Sequence, residues 1–247
     1  MKMFQKLAIT EFKLFLREPE AAFFTFLFPI LMLLVFGSIY GNKPSPFFSG
    51  YGSVDASVPA YISMIISTTG ILSISITVAM YREKGILKRY RVTPLSSSSV
   101  MISQILVGFV MTLIGTIILI LAAKIIYGLR FGGNAFYVTL AFILCSGSFF
   151  ALGFLLAGIA PTARSANIIG MAVFFPNLFL SGATFPKQIF PETLDRISHF
   201  IPLRYVVELM QGMWFGHSWG SHTFDILILF GILIISVIIS AFTFRWE

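Results

Sequence analysis

The sequence predicts an all-α integral membrane protein: six transmembrane helices, an N-terminal interfacial amphipathic helix, and an outer re-entrant helical hairpin before the last span. Three observations carry that expectation. The 247 residues are 57% hydrophobic and only 11% charged, whereas a soluble domain needs roughly a quarter of its residues charged. Six apolar stretches run approximately 21–40, 58–80, 100–123, 136–160, 166–183 and 224–244. Each is about long enough to cross a bilayer core as a helix. Finally, Lys and Arg collect in alternate connecting segments, as membrane topology requires.

The first element is a helix over residues 1–20. On a helical wheel Lys2, Lys6, Lys13 and Arg17 share a narrow sector, while Phe4, Leu7, Ala8, Phe12, Leu14, Phe15 and Leu16 fill the apolar arc. Such a helix lies in the membrane interface. Glu11 and Glu18 fall inside the apolar arc, a position that suits a protein partner better than lipid. Pro19 ends the helix. The apolar run that follows is too long for a signal peptide and lacks a small-residue cleavage site, so it reads as the first retained span. Residues 21–247 then form the six-span domain.

With the N-terminus inside, eleven of the 17 basic residues fall on the cytoplasmic side and six outside. The loop after the second span dominates that bias through Arg82, Lys84, Lys88, Arg89 and Arg91. Both termini are therefore expected in the cytoplasm. The net charge of +7 does not point to nucleic acid, because the basic residues share no single soluble face. An anionic membrane surface fits their distribution better. The lone Cys145 allows neither an intrachain disulfide nor a cysteine metal cluster.

Three segments are candidates for function. In the cytoplasmic loop, Ile86, Leu87 and Tyr90 recur at helical spacing among the basic residues, after a break at Gly85. Simple charge anchoring would need only the cations. The interleaved apolar residues instead suggest a docking surface for a cytoplasmic partner. In the outer segment 184–205, Pro186, Pro191 and Pro202 cut an apolar stretch containing Phe185 and Phe200 into pieces too short to span. That pattern suggests a re-entrant or interfacial hairpin, against an ordinary amphipathic outer loop as the alternative. Within the spans, Asn167, Gly170, Phe174, Asn177 and Ser181 lie within about 80° of one another on the fifth helix. The second span is rich in hydroxyls, including Ser67 and Thr68. These residues either hold helices together or line a substrate pathway.

Several chemistries find no support. There is no GxxxxGK[ST] phosphate loop and no HExxH. The spans are expected to hold no buried charge, with Asp225 at a span edge, so a proton- or ion-coupled pump is disfavoured. His199, His217 and His222 are irregularly spaced and expected to be solvated loop histidines, with no metal site. A lipid-modifying membrane enzyme would have to use the outer group Glu192, Asp195, His199, Arg204 and Glu208. A passive pore or scaffold is the third class to weigh.

The order of these parts resembles the type-2 ABC exporter permease family across nearly the whole chain. In YREKGILKRYRVTPLS, Arg82, Glu83, Gly85, Thr93, Pro94 and Leu95 occupy family positions, while Ile86 stands where threonine is common. The segment FLSGATFPKQIFPETLDRISHFIPLRYVVELMQG, residues 179–212, carries the Ser-Gly, Phe-Pro and Ile-Pro landmarks. The resemblance implies the transmembrane half of an ATP-driven exporter in the bacterial cytoplasmic membrane. Residues 81–96 would then be the coupling-helix loop, with Glu11 and Glu18 beside it on the surface gripped by a cytoplasmic ABC ATPase. No cofactor would bind this chain, since ATP and magnesium sit on the partner. A second permease copy or a homologue would complete the pore. The implied cargo is lipophilic or amphipathic (a drug, antibiotic or peptide), with a lipid-linked polysaccharide or teichoic acid as the alternative.

Overall fold

The structure, a computed structural model, describes Phe12 and residues 22–45, 48, 50–86 and 97–243. Among these the regular elements are all helical. The helices are α1 (Phe23–Tyr40) and α2 (Ser53–Glu83), α3 (Ser97–Tyr127), α4 (Ala135–Ile159), α5 (Ala163–Leu180), α6 (Glu192–Ser198), α7 (Pro202–Trp214) and α8 (Thr223–Thr243). All except α6 and α7 are long and apolar enough to cross a membrane, so the chain is a multi-pass membrane protein. The expected N-terminal helix, with Glu11 and Glu18, lies outside the described residues apart from Phe12. That ring packs on Val107 and Met111 of α3.

α2 is the central post, buried almost throughout its length. Its first half, Ser53–Ser67, packs on α7, α1 and α3, and its last turns, Ser75–Glu83, pack on α5 and α4. Between them Thr68–Ile74 widens into a π-helix. There α4 comes closest: a methyl group added at Gly153 would run into the Gly70 carbonyl oxygen. Only glycine permits that backbone approach. Several buried hydroxyls on α2 bond within the helix, Thr68 to the Met64 carbonyl at 3.0 Å and Ser63 to that of Pro59 at 2.9 Å, while Ser67 and Ser73 find no partner among the described residues. Thr112 on α3 reaches across to Thr69 at 3.1 Å. Satisfying hydroxyls locally lets a polar helix sit inside an apolar bundle.

A proline explains one local departure, and a second is accommodated within its helix. Pro29 cannot donate to the Thr25 carbonyl, and the turn before it, Phe23–Leu27, is π-helical. Gly115 of α3 packs against that carbonyl, where an added methyl would lie 3.1 Å from the oxygen. Pro176 stays inside α5, with the next side chain, Asn177, donating to the Val173 carbonyl at 2.9 Å.

One expectation fails outright. α2 begins at Ser53 rather than near 58, which brings Asp55 into its first turn with no solvent exposure. The spans therefore do contain a buried acid. Asp225, at the start of α8, is also buried, at 6% exposure. Apolarity alone misplaced the boundary, because a paired carboxylate can be buried without breaking the helix.

Candidate functional site

Polar chemistry gathers at the two ends of the bundle. At the elbow end, α2 stops where Gly85 turns with φ +63°, a conformation glycine adopts without strain. Just before it, the Arg82 guanidinium donates to the Ala160 carbonyl and, at 3.4 Å, to that of Gly158. The Ala163 N–H donates to Glu83 Oε2 at 2.8 Å. Gly158 and Ala160 lie at the C-terminal end of α4, and Ala163 opens α5. A cation thus meets a helix's unpaired carbonyls while an anion meets the next helix's unpaired N–H groups. The bracket fastens the elbow to the α4–α5 turn. Ile86 adds an apolar contact to the cluster of Tyr81, Phe150 and Phe154, and Lys84 is exposed. Leu87, Lys88, Arg89, Tyr90 and Arg91 lie outside the described residues, as does the Thr93–Pro94–Leu95 ending.

At the hairpin end, Asp55 is the hub. It accepts from the Gly52 N–H, from Asn42 Nδ2, and from the Arg130 backbone N–H and Nε, each at 2.9 Å, and the Arg130 NH2 group stands 2.8 Å away. This knot joins the α1–α2 loop, α2 and the α3–α4 loop. α7 is amphipathic and deeply buried, with Leu203, Val206, Val207, Met210 and Trp214 inward at helical spacing. Its Gln211 donates to the Ala56 carbonyl at 3.0 Å.

The predicted hairpin residues take up α6 and α7. Pro191 precedes α6 and Pro202 opens α7, where the ring's missing N–H is not needed. The second limb runs to Trp214, beyond the expected limit at 205. Arg204, buried at 6% exposure, donates to Asp195 Oδ1 at 2.7 Å, to the Asp195 carbonyl at 3.0 Å, to Ser198 Oγ, and to Glu208 at 2.8 Å. Lys187 reaches the same Glu208 oxygen at 2.8 Å. The hydrogen bond from Arg204 holds the Asp195 carboxyl below the ordinary aspartate range. Phe185 and Phe200 stay exposed, Phe200 at 87%. His222 is not a solvated loop residue: it is half-buried, with Nδ1 2.7 Å from Asp225, and Nε2 3.4 Å from His217 Nδ1. The sequence hint was the i, i+3 spacing of His222 and Asp225.

The residues expected along a pathway do not form one surface. Ser67 and Thr68 are fully buried inside the single chain. Asn177 accepts from the Leu203 N–H at 3.1 Å, so it caps α7. Ser181 accepts from the Ala183 N–H at 3.2 Å in the turn after α5. Asn167 is half-buried. Phe174 joins a series of rings that sequence reasoning missed. Phe24 of α1 meets Phe174 and Phe175, then Phe175 meets Phe179, Phe179 meets Phe185, Phe185 meets Phe36, and Phe36 meets Tyr40, at centroid distances of 5.7 to 6.4 Å. The i, i+4 pairs Phe175/Phe179 and Phe36/Tyr40 were the available signal.

The family profile described as ABC-2 type transporter matches residues 3–215. The chain belongs to that family. ABC-2 membrane domains carry no nucleotide-binding site of their own. Among relatives of this ABC-2 permease, the putative transport permease ycf38 of Porphyra purpurea is 25% identical over 230 residues, covering 92% of this chain and 79% of the relative. The probable multidrug ABC transporter permeases YbhS and YbhR of Escherichia coli K12 are 22% and 28% identical over 160 and 156 residues. Those matches cover 63% and 62% of this chain, and span less than half of each relative, 42% and 41%.

Proposed function

We propose that this permease is the transmembrane half of an ATP-driven exporter of lipophilic or amphipathic molecules. The elbow end and both termini face the cytoplasm. An ABC ATPase subunit carrying ATP and magnesium docks on segment 81–96 and on Glu11 and Glu18, and a second permease copy or homologue completes the pathway. The observation that supports this most is the Arg82–Glu83 bracket. Because these two side chains hold the ends of α4 and α5, a push on the elbow is delivered to both helices at once.

The hairpin-end acids argue for transport over lipid-modifying catalysis. Asp195, Arg204 and Glu208 are consumed in mutual ion pairs, and Glu192 pairs with Arg196 at 2.6 Å. An acid–base catalyst needs groups free to exchange protons with substrate, and of the outer group only the exposed His199, 3.9 Å from Asp195, is not held in a close ion pair, which leaves it without a free acid beside it. In the pathway, half-buried Asn167 contacts cargo directly, and Phe174, at 1% exposure, reaches it only when α5 parts from α1. Ser67 and Thr68 reach it when α2 separates from its neighbours, and Asn177 and Ser181 act by holding α7 and its approach. Segment 184–205, continued by α7, dips into the membrane as a re-entrant hairpin, and residues 1–20 lie at the interface.

The test is reconstitution of the permease with its ATPase in vesicles. Exchanging Glu83→Gln together with Gly85→Val should leave the bundle folded but abolish permease-stimulated ATP turnover. Unchanged subunit binding and turnover in that double variant would refute the coupling assignment.

A further inference from the structure

Beside the polar machinery of the hairpin end lies a chamber of about 500 Å³ between α1, the start of α2 and the Thr184–Ile189 segment. That volume is typical of sites for small organic ligands. Its walls are mainly aromatic and aliphatic: Phe36, Tyr40, Phe48, Tyr61, Phe185 and Ile189. Among the described lining residues there is one cation, Lys43, and no Asp or Glu. Lys43 is exposed and makes no ion pair among the described residues. A second cavity of about 290 Å³ shares Phe48, Ser57, Thr184 and Pro186 with the first. The second is polar, with the Lys187–Glu208 pair, Gln211 and His222 on its walls.

We propose that the aromatic chamber binds a single-chain anionic amphiphile, the apolar tail among the rings and the anionic head at Lys43. This deepens the export reading by naming a cargo class, and the chamber's role in export rests on that reading. Three physical points select the class. The apolar walls reward burial of hydrocarbon at about 25 cal/mol per Å². The faces of aromatic rings attract cations in general, but among the described lining residues the sole formal charge is positive and no carboxylate stands to pair a cationic head. The volume holds one long chain and not the two of a diacyl lipid.

The ring series supplies a route. Phe175, Phe179, Phe185 and Tyr40 are all at least 39% exposed on the flank of the bundle, and successive rings from Phe175 to Tyr40 meet at 6.2 to 6.4 Å. A tail moving along α1 and α5 toward the hairpin end passes from ring to ring and ends at Phe36 and Phe185, both chamber walls.

The experiment uses the full chain in phosphatidylcholine nanodiscs. The probes are a spin-labelled alkyl sulfate and a spin-labelled alkyltrimethylammonium of the same chain length. Electron paramagnetic resonance reads the immobilised fraction. The sulfate should show a saturable immobilised component, displaced by unlabelled alkyl sulfate and not by phosphatidylglycerol, and the trimethylammonium probe should bind more weakly. Lys43→Glu should weaken the sulfate about fivefold, the upper worth of an exposed charge pair, and reverse the preference. Ile189→Trp, at a position 60% exposed and therefore tolerant of size, should narrow the chamber and weaken binding of both probes. Equal immobilisation of both probes, immobilisation of neither, indifference to Lys43→Glu, or displacement by phosphatidylglycerol would each overturn the proposal. Because the binding assay contains no ATPase, a permease that binds the sulfate yet fails to stimulate its partner refutes only the export reading. One that stimulates the partner without binding the sulfate refutes only the chamber.

Discussion

The two ends of α2 are held in contrasting ways. At the hairpin end Asp55 is wholly buried and accepts from three residues belonging to two loops and its own helix start. At the elbow end Arg82 and Glu83 are half-buried or exposed, and their hydrogen bonds among the described residues go to backbone groups of the α4–α5 turn. A buried carboxylate with many donors cannot let go cheaply, because any released partner leaves an unsatisfied charge in an apolar place. A surface pair of helix-end contacts can let go, since water replaces each bond. The π-helical Thr68–Ile74 lies between the two anchorages. π-turns inside α-helices are often found at functional positions. The bundle thus has a fixed end and a movable end, with the irregular turn between them.

The largest expected effect tests the fixed end. Asp55→Ala should destabilise the permease by about 3 kcal/mol, through the loss of several hydrogen bonds to one buried carboxylate. Chemical unfolding in detergent should show it, and a loss under ~1 kcal/mol would mean the knot is not an anchor. Next comes the close approach of α2 and α4. Gly153→Val should cost about 1–3 kcal/mol through overpacking against the Gly70 carbonyl, and a neutral result would mean that α2 and α4 do not pack through Gly153.

At the movable end, Arg82→Ala alone should cost about 1 kcal/mol, the worth of a helix-end contact. It should lower ATPase stimulation far more than that stability loss explains. A variant that loses both in proportion would make the bracket a plain structural contact.

The smallest effect concerns pH. The Asp195 carboxyl is depressed in the folded chain by its hydrogen bond from Arg204, so the stability it contributes is complete above the ordinary aspartate value. That contribution is lost only as pH falls through the lower folded value. Amide exchange in α6 should therefore stay slow through mildly acidic pH and quicken only under strongly acidic conditions. In Arg204→Gln, where the folded and unfolded values of Asp195 become alike, that acid-dependent step should disappear.

These contrasts show how far residues could be read in isolation. The six spans were legible because a bilayer demands long apolar runs, and the prolines at 191 and 202 marked breaks in the outer segment because the ring lacks an N–H to continue a helix. The boundary of α2 was not legible. Asp55 looks like a loop residue until Arg130, 75 residues away, is known to cover it. Asn177 carried the right polarity for a pathway, but its partner is the Leu203 N–H, a bond no helical wheel can display. The bracket residues were picked out by a motif whose described half turned out to grip the α4–α5 turn of the same chain.

Hydropathy and charge placement, read along the chain alone, determined that this protein lives in a membrane, how many times it can cross, and where its basic elbow lies. These are properties of transfer from water to lipid, and each segment expresses them independently of the others. Tertiary structure alone decided which polar side chains anchor and which stay available, and that Phe36 and Phe185 share one chamber. Those outcomes depend on distances between helices far apart in sequence, and no local pattern encodes a distance.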